Sequence, residues 1–428
     1  MRFIGGDNDF VADIRRFVPI LLGLTEQRKP LQMTRKGGDR RSIETLAVWA
    51  AEQGPFPYGA AVVPLVSAAT FAYPDLASWE AVAMHQVPGH IYSRTTNPTV
   101  SVLEEKMTCL DGTEQALGFS TGMAAISAAL FGLLSPGERV VSIKDTYGGT
   151  NVLFEEFLPR FSIAVTLCDT NDADSIESEI RRGCRLVYLE TPTNPTLKVV
   201  DIARIAAIAR DCGAFVVTDN TFATPFNQRP SELGSDLVVY SATKFLAGHS
   251  DVLGGIVSGR RDLIQKIFHY REITGGMLHA EAAYAILRGL KTLALRMERS
   301  NANAMAVAQH LRRHPGIDKV FYPGLPDHPG HAVASRQMTG FGGVLAFAPH
   351  GGFDQVRRVL DRLQLAQRAA HLGGVATTAG PPSVTSHVEL SAAERARAGI
   401  PENLIRYSVG IEGIDDLRAD LDQALAES

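Results

Sequence analysis

The sequence predicts an α/β protein in which a doubly wound, mostly parallel sheet is followed by a smaller α+β C-terminal domain. Three observations carry that expectation. Short apolar runs alternate with helix-patterned stretches through the middle of the chain, the order that builds parallel sheets through crossover helices. Three of those runs end in polar clusters, Glu190-Thr-Pro-Thr-Asn194, Asp219-Asn-Thr221 and Ser241-Ala-Thr-Lys244, at the edge where open sheets bind ligands. After about residue 295 the pattern changes to long helices, Met297–His314 and Phe353–Leu363, set among isolated strands at Gly343–Phe347 and Leu404–Val409.

Residues 1–40 differ from the rest, with Gly5-Gly6, Gly37-Gly38 and one short apolar run, Phe17–Leu24, behind Arg15 and Arg16. They read as an extension ordered against another subunit. No small-residue cleavage pattern follows the apolar run, so a signal peptide is not expected. A short helix is expected at Ser42–Glu52, then a proline-bearing stretch from Pro55 to Pro74. Arg139–Ile143 and Ser162–Leu167 read as strands, and Arg185–Leu189 as a strand buried on both faces. Asp201 caps a helix over Ile202–Cys212 whose Ile202, Ile205, Ala206 and Ala209 share one face, and Gly213 ends it. Ala214–Thr218 and Asp236–Tyr240 are the next strands. The expected division is an extension and arm over 1–96, an α/β domain over 97–295 and an α+β domain over 296–428.

Composition narrows the function. A chain of 428 residues, 45% hydrophobic and 21% charged, excludes disorder as the dominant state. A net charge of −4 gives no electrostatic reason for a nucleic-acid or anionic-membrane partner. No apolar run approaches the roughly 18 residues of a membrane span. Cys109, Cys168, Cys184 and Cys212 form no C-x-x-C pair, which fits buried thiols in a reducing, cytoplasmic compartment. His310 and His314 are spaced i, i+4 without the glutamate of an H-E-x-x-H zinc site, so no metal is expected.

The strand-end acid and lysine are the informative pair. An aspartate there can hold a proton on a heteroaromatic nitrogen, and a lysine near apolar or cationic groups has a lowered pKa and can form a Schiff base. Pyridoxal 5′-phosphate needs both, together with a phosphate cradle. Ser120-Thr-Gly-Met123 opens a helix expected at Ala124–Leu133, and its backbone N–H groups would face an anion. One motif competes: Gly118-Phe-Ser-Thr-Gly122 matches the G-x-S-x-G nucleophile elbow of serine hydrolases. A hydrolase would leave Lys244, Asp219 and the strand-end clusters without roles.

Ser241-Ala-Thr-Lys-Phe-Leu-Ala-Gly-His-Ser-Asp-Val-Leu-Gly-Gly255 strongly resembles the lysine-bearing motif of the cystathionine γ-synthase and cystathionine γ-lyase family. These are fold-type I pyridoxal-phosphate enzymes of cysteine and methionine metabolism. The resemblance continues collinearly through Tyr92-Ser-Arg-Thr-Thr-Asn-Pro-Thr99, Tyr147-Gly-Gly149, Glu190-Thr-Pro-Thr-Asn-Pro195, Asp219-Asn-Thr221 and Arg406-Tyr-Ser-Val-Gly-Ile-Glu412, over residues 42–428. It implies that Lys244 carries the cofactor and moves protons, and that Asp219 keeps the pyridine nitrogen protonated. Tyr147 would stack on the ring and exchange a proton with the amine or leaving group. Asn194 would lie near the 3′ oxygen, and Gly122, Met123, Ser241 and Thr243 would hold the phosphate. Tyr92 and Arg94 would reach that phosphate from a neighbouring subunit, so the resemblance implies a homo-oligomer, a dimer at minimum and a tetramer by expectation. Arg406 would grip the substrate α-carboxylate.

Three departures bear on the reaction. Gly149 stands where methionine γ-lyases carry a cysteine. His371-Leu-Gly-Gly-Val-Ala-Thr377 stands where many members read Ser-Leu-Gly-Gly-x-Glu-Ser/Thr. His371 thus replaces a serine beside the substrate carboxylate and the lysine, as a second proton donor or as a packing substitution. Ala376 replaces an acid associated with a distal amino group, which points to a neutral or smaller leaving group. The expected activity is γ-elimination, a carbon–sulfur lyase reaction on a four-carbon amino acid. The alternatives are γ-replacement on an O-acylhomoserine, then β-elimination, and, in another class, a non-catalytic cofactor-binding relative.

Overall fold

The computed structural model describes residues 41–426 apart from 85, 387, 389, 390 and 398. The expected extension over 1–40, with its apolar run Phe17–Leu24, lies outside the described residues. The first sheet has seven strands: β1 Gln115–Phe119, β2 Arg139–Ile143, β3 Ala164–Cys168, β4 Leu186–Glu190, β5 Phe215–Asp219, β6 Leu237–Ser241 and β7 Gly255–Gly259. Their spatial order is β1-β7-β6-β5-β4-β2-β3. Strands β2 to β6 pair in parallel, and β7 runs antiparallel to both β6 and β1. Residues 242–254 hold no helix of the kind that usually carries a parallel crossover, and β7 returns antiparallel to β6.

Helices cover both faces. Ile126 and Leu130 of the helix Gly122–Leu133 pack with Ile264 and Ile267 of the helix Arg261–Thr274 on one side. Ile176 and Ile180 of the helix Ala173–Arg181 pack with Ile205 and Ala209 of the helix Ile202–Asp211 on the other. Every residue of β4 is consequently buried, which is why Leu-Val-Tyr-Leu reads as a continuous apolar run.

The second sheet contains β8 Ile317–Phe321, β9 Val344–Pro349, β10 Gln367–Arg368, β11 Thr378–Gly380 and β12 Ile405–Ser408. Its order is β10-β11-β12-β9-β8, antiparallel except for the short β10–β11 pair. The helix Leu293–Arg313 runs through the expected boundary at 295/296. A single apolar cluster joins Tyr240, Phe245 and Leu246 beside β6 to Met297 of that helix and to Val344 and Leu404 of the second sheet. The two sheets therefore share a core. No helix among the described residues is long and apolar enough to cross a membrane.

Candidate active site

Strands β4, β5 and β6 deliver their last residues to one edge. Glu190 and Asp219 are register partners across β4 and β5, and Ser241 ends β6. Thr221 ties the ends together: its N–H donates to Asp219 Oδ1 at 2.9 Å, and its Oγ1 accepts from Ser241 N at 2.9 Å. Lys244 follows in a turn, its N–H donating to Ser241 O at 3.2 Å. Arg296 clamps that turn from the second sheet's side, donating to Phe245 O at 2.6 Å and Leu246 O at 3.3 Å. Gly373, at φ +78°, presses on the same turn, where a Cβ would fall 2.6 Å from Phe245 N. The backbone around the lysine is thus held from the helix Leu293–Arg313 and from the segment between β10 and β11.

The helix Gly122–Leu133 opens against this edge. Thr121 is its cap, accepting from Ala124 N at 3.0 Å. Gly122 touches β6 so closely that a Cβ would lie 2.8 Å from Ser241 Cβ and 3.0 Å from Ser241 Cα. Bare backbone N–H groups at a helix N-terminus, with Ser241 and Thr243 beside them, make a cradle suited to a phosphate. Gly122→Ala is expected to cost about 1–3 kcal/mol of stability by overpacking. It should also weaken pyridoxal-phosphate binding beyond that loss, which comparison of thermal unfolding with and without added cofactor would reveal.

One cavity of about 280 Å³ gathers the expected residues. Gly122, Met123, Ser241, Thr243 and Lys244 line it together with Asp219, Asn194, Tyr147 and Arg406. Lys244 Nζ lies 3.4 Å from His371 Nδ1. Burial, with the Arg406 charge second, lowers its pKa to about 8. Arg406 is only 6% exposed and forms no ion pair with an acid among the described residues. It donates to Asn194 Oδ1 at 3.1 Å and to His371 O at 3.3 Å. Burial lowers the guanidinium's pKa to about 10.

The acids at the strand ends are buried side by side. Burial raises the Asp219 pKa, although the bonds from Thr221 oppose it, and Tyr188 OH donates to Asp219 Oδ2 at 3.4 Å. Burial, then the Asp219 charge, pushes Glu190 well above the usual carboxylate range. Glu190 Oε2 accepts from Tyr147 N at 2.8 Å and Oε1 from Asn194 N at 3.0 Å. One carboxyl group thus places both the aromatic side chain and the amide. Tyr147 remains 44% exposed at the cavity's mouth.

Tyr92 and Arg94 do not line this cavity. They stack on one another, the guanidinium carbon 5.6 Å from the ring centre, and Arg94 donates to Glu272 O. Ala376 is not a lining residue either. Ser120 does sit between a strand and a helix, but it is exposed, outside the cavity, and has no histidine hydrogen-bonded to it among the described residues. His310 bonds Asp422 Oδ1 at 2.6 Å. In the sequence Glu190 and Thr221 stand within motifs that assign them no role, and nothing singles out Arg296. Glu190 could have been found from its place opposite Asp219 in adjacent strands. Arg296 could not, because its work is done on backbone carbonyls.

A family model described as Cys/Met metabolism PLP-dependent enzyme matches residues 44–426. An L-methionine gamma-lyase of Fusobacterium nucleatum is 40% identical over 371 residues, covering 86% of this chain and 94% of that protein. An O-succinylhomoserine sulfhydrylase of Pseudomonas aeruginosa is 39% identical over 385 residues, covering 90% of this chain and 95% of its own length. Among solved structures, a cystathionine gamma synthase from Xanthomonas oryzae pv. oryzae in complex with aminoacrylate and cysteine superposes with a TM-score of 0.86 at 36% identity, covering 90% of this chain and 98% of that one.

Proposed function

The chain belongs to the Cys/Met metabolism PLP-dependent enzymes, and from that membership we propose that it eliminates the γ-substituent of a four-carbon amino acid as a carbon–sulfur lyase. It is a pyridoxal-phosphate-dependent enzyme of the cystathionine γ-synthase family with the fold-type I architecture. The observation that carries the proposal is Arg406, a buried guanidinium with no acid partner among the described residues, facing the cavity that holds Lys244. An amino acid's α-carboxylate is the counter-ion such a group lacks.

When bound, pyridoxal phosphate supplies the electron sink that makes bonds at the amino acid's α, β and γ carbons labile. The chain's own groups then have distinct tasks. Gly122 and Met123 N–H, with the Ser241 and Thr243 hydroxyls, hold the phosphate. Asp219 keeps a proton on the pyridine nitrogen, and the cation formed there offsets the burial that raises the carboxyl's own pKa. Lys244, with its amine near 8, is neutral often enough that it would hold the cofactor through its aldehyde, and it would take and return protons at the substrate's Cα and Cβ. Tyr147, held through its backbone by Glu190, covers the ring and passes a proton to the departing sulfur. Arg406 and Asn194 orient the carboxylate.

Gly149 supports a substrate other than methionine, since a Cβ there would lie 3.0 Å from Tyr147 Cε1 and 3.1 Å from Met123 Sδ. The cysteine of methionine γ-lyases would have to displace one of them. The similarity to an O-succinylhomoserine sulfhydrylase keeps γ-replacement as the second reading. Products separate the two on a panel of cystathionine, methionine, homocysteine and O-acylhomoserines. Elimination yields 2-oxobutanoate and ammonia, replacement yields a new thioether when thiol is added, and pyruvate would overturn both in favour of β-elimination.

Tyr92 and Arg94 do not line their own chain's cavity, and Tyr58, Leu76 and Trp79 leave large apolar surfaces exposed. Both observations support a homo-oligomer in which these two residues serve a neighbour's phosphate, a dimer at minimum, with a tetramer as the fuller assembly. The four cysteines are free thiols, which supports a cytoplasmic enzyme.

A further inference from the structure

Among the described residues, Lys244 Nζ has a single hydrogen-bond partner, His371 Nδ1, at 3.4 Å. The imidazole sits beside the lysine on a pinned backbone: His371 O accepts from Thr378 Oγ1 at 2.9 Å and from Arg406 at 3.3 Å. Its Nε2 is buried and has no partner. The charged groups acting on it are Lys244 on the turn after β6 and Arg406 on β12; His371 itself does not line the cavity, whose wall holds Lys244 and Arg406 together with the acids Asp219 and Glu190 and the phenol of Tyr147. Burial, then the charges of Lys244 and Arg406, keeps the ring neutral, its pKa pulled down to about 4. A neutral imidazole this reluctant to take a proton is a poor acid for a leaving group. What it offers Lys244 is a lone pair.

We infer that His371 is a positioning residue for Lys244: in its Nε2–H form, Nδ1 accepts an N–H of the amine whenever that amine is free, turning the amine's own lone pair toward the cavity. The serine found there in many relatives can donate to the amine as well as accept from it. The imidazole in this form can only accept, so it never occupies the lone pair that must attack or deprotonate. Accepting from the amine also favours the ammonium and opposes the loss of proton affinity caused by burial. The inference rests on Lys244 being the cofactor lysine, and its test is read without turnover.

The test is the pH dependence of cyanate labelling at Lys244 in the cofactor-free full chain, followed by peptide mass spectrometry. His371→Leu fills the space without an acceptor. His371→Asn sets an amide atom where Nδ1 sits, and His371→Gln sets one nearer Nε2. The Leu variant is expected to lower the amine's apparent pKa by about one unit, the Asn variant to restore it, and the Gln variant to behave like Leu. In the holoenzyme kcat should fall about 10- to 100-fold in Leu, with KM little changed. A Leu profile that superimposes on the parent's, or an Asn variant that restores nothing, overturns the inference. If the Leu variant does not fold, Asn against Gln decides: equal profiles overturn it. Loss of cofactor capture with an intact labelling difference would refute the proposed function alone.

Discussion

Lys244→Ala is expected to lower kcat by about 10⁴-fold or more and to abolish the visible absorbance of the protein mixed with pyridoxal phosphate. No other lysine among the described residues lines the cavity, so none of them is placed to take over its proposed nucleophilic and proton-carrying work. Lys144 and Lys198 lie near a different cavity and are paired with Asp169 and Asp145. The fold should survive, because Phe245, Leu246 and the Arg296 bonds that shape the turn do not involve the lysine side chain. A folded variant that kept its absorbance and its turnover would remove Lys244 from the mechanism altogether.

Arg406→Met is expected to do two opposite things. Catalytic efficiency, kcat/KM, should fall about 10²- to 10³-fold, the usual consequence of removing one partner of a buried charge pair. The cofactor-free protein should meanwhile be as stable as the parent or about 1–4 kcal/mol more stable, because a buried charge without a counter-ion gives way to a well-packed apolar side chain. Thermal unfolding beside steady-state kinetics separates the effects, and a clear drop in stability would show that the arginine serves the fold instead.

The same variant should also move the pH dependence. Arg406 is the second cause of the low Lys244 pKa; without it the amine holds its proton to higher pH, and the alkaline rise in cofactor capture, centred near 8 in the parent, shifts upward. The linkage has a definite sign. The unfolded chain binds a proton at Lys244 up to about 10.5, the folded chain only to about 8, so the cofactor-free protein gains stability as pH rises between those values. That gain should shrink in Arg406→Met.

The chemistry was legible in the sequence because it sits where backbone geometry is simplest. Glu190, Asp219 and Ser241 each end an apolar run, and parallel strands bring such ends to one edge without any knowledge of side-chain packing. The helix Gly122–Leu133 and the strand Arg139–Ile143 were read within two residues of their ends. Two strands of the first sheet were not read. Gly255–Gly259 is bounded by glycines and Gln115–Phe119 contains one, so neither carries a β-rich signal, and both are strands because they pair with each other. The shared core was equally hidden, since Tyr240 and Leu404 are far apart in the chain. The contact between Lys244 and His371 depends on that same long-range closure, and the sequence supplied only the oddity of a histidine where relatives carry serine.

That closure has a further consequence. In the proposed mechanism the amine meant for the α carbon follows β6 of the first sheet and the guanidinium meant for the carboxylate stands on β12 of the second, and one apolar cluster joins the two sheets. With that core shared between the sheets, the interval from Lys244 to Arg406 would work as a fixed caliper. Under that proposal candidate molecules would be gauged first by their α-amino-acid end, and diversity would lie in whatever projects past Tyr147 toward solvent. Selectivity in such a molecule can be retuned at its mouth while the jaws stay set.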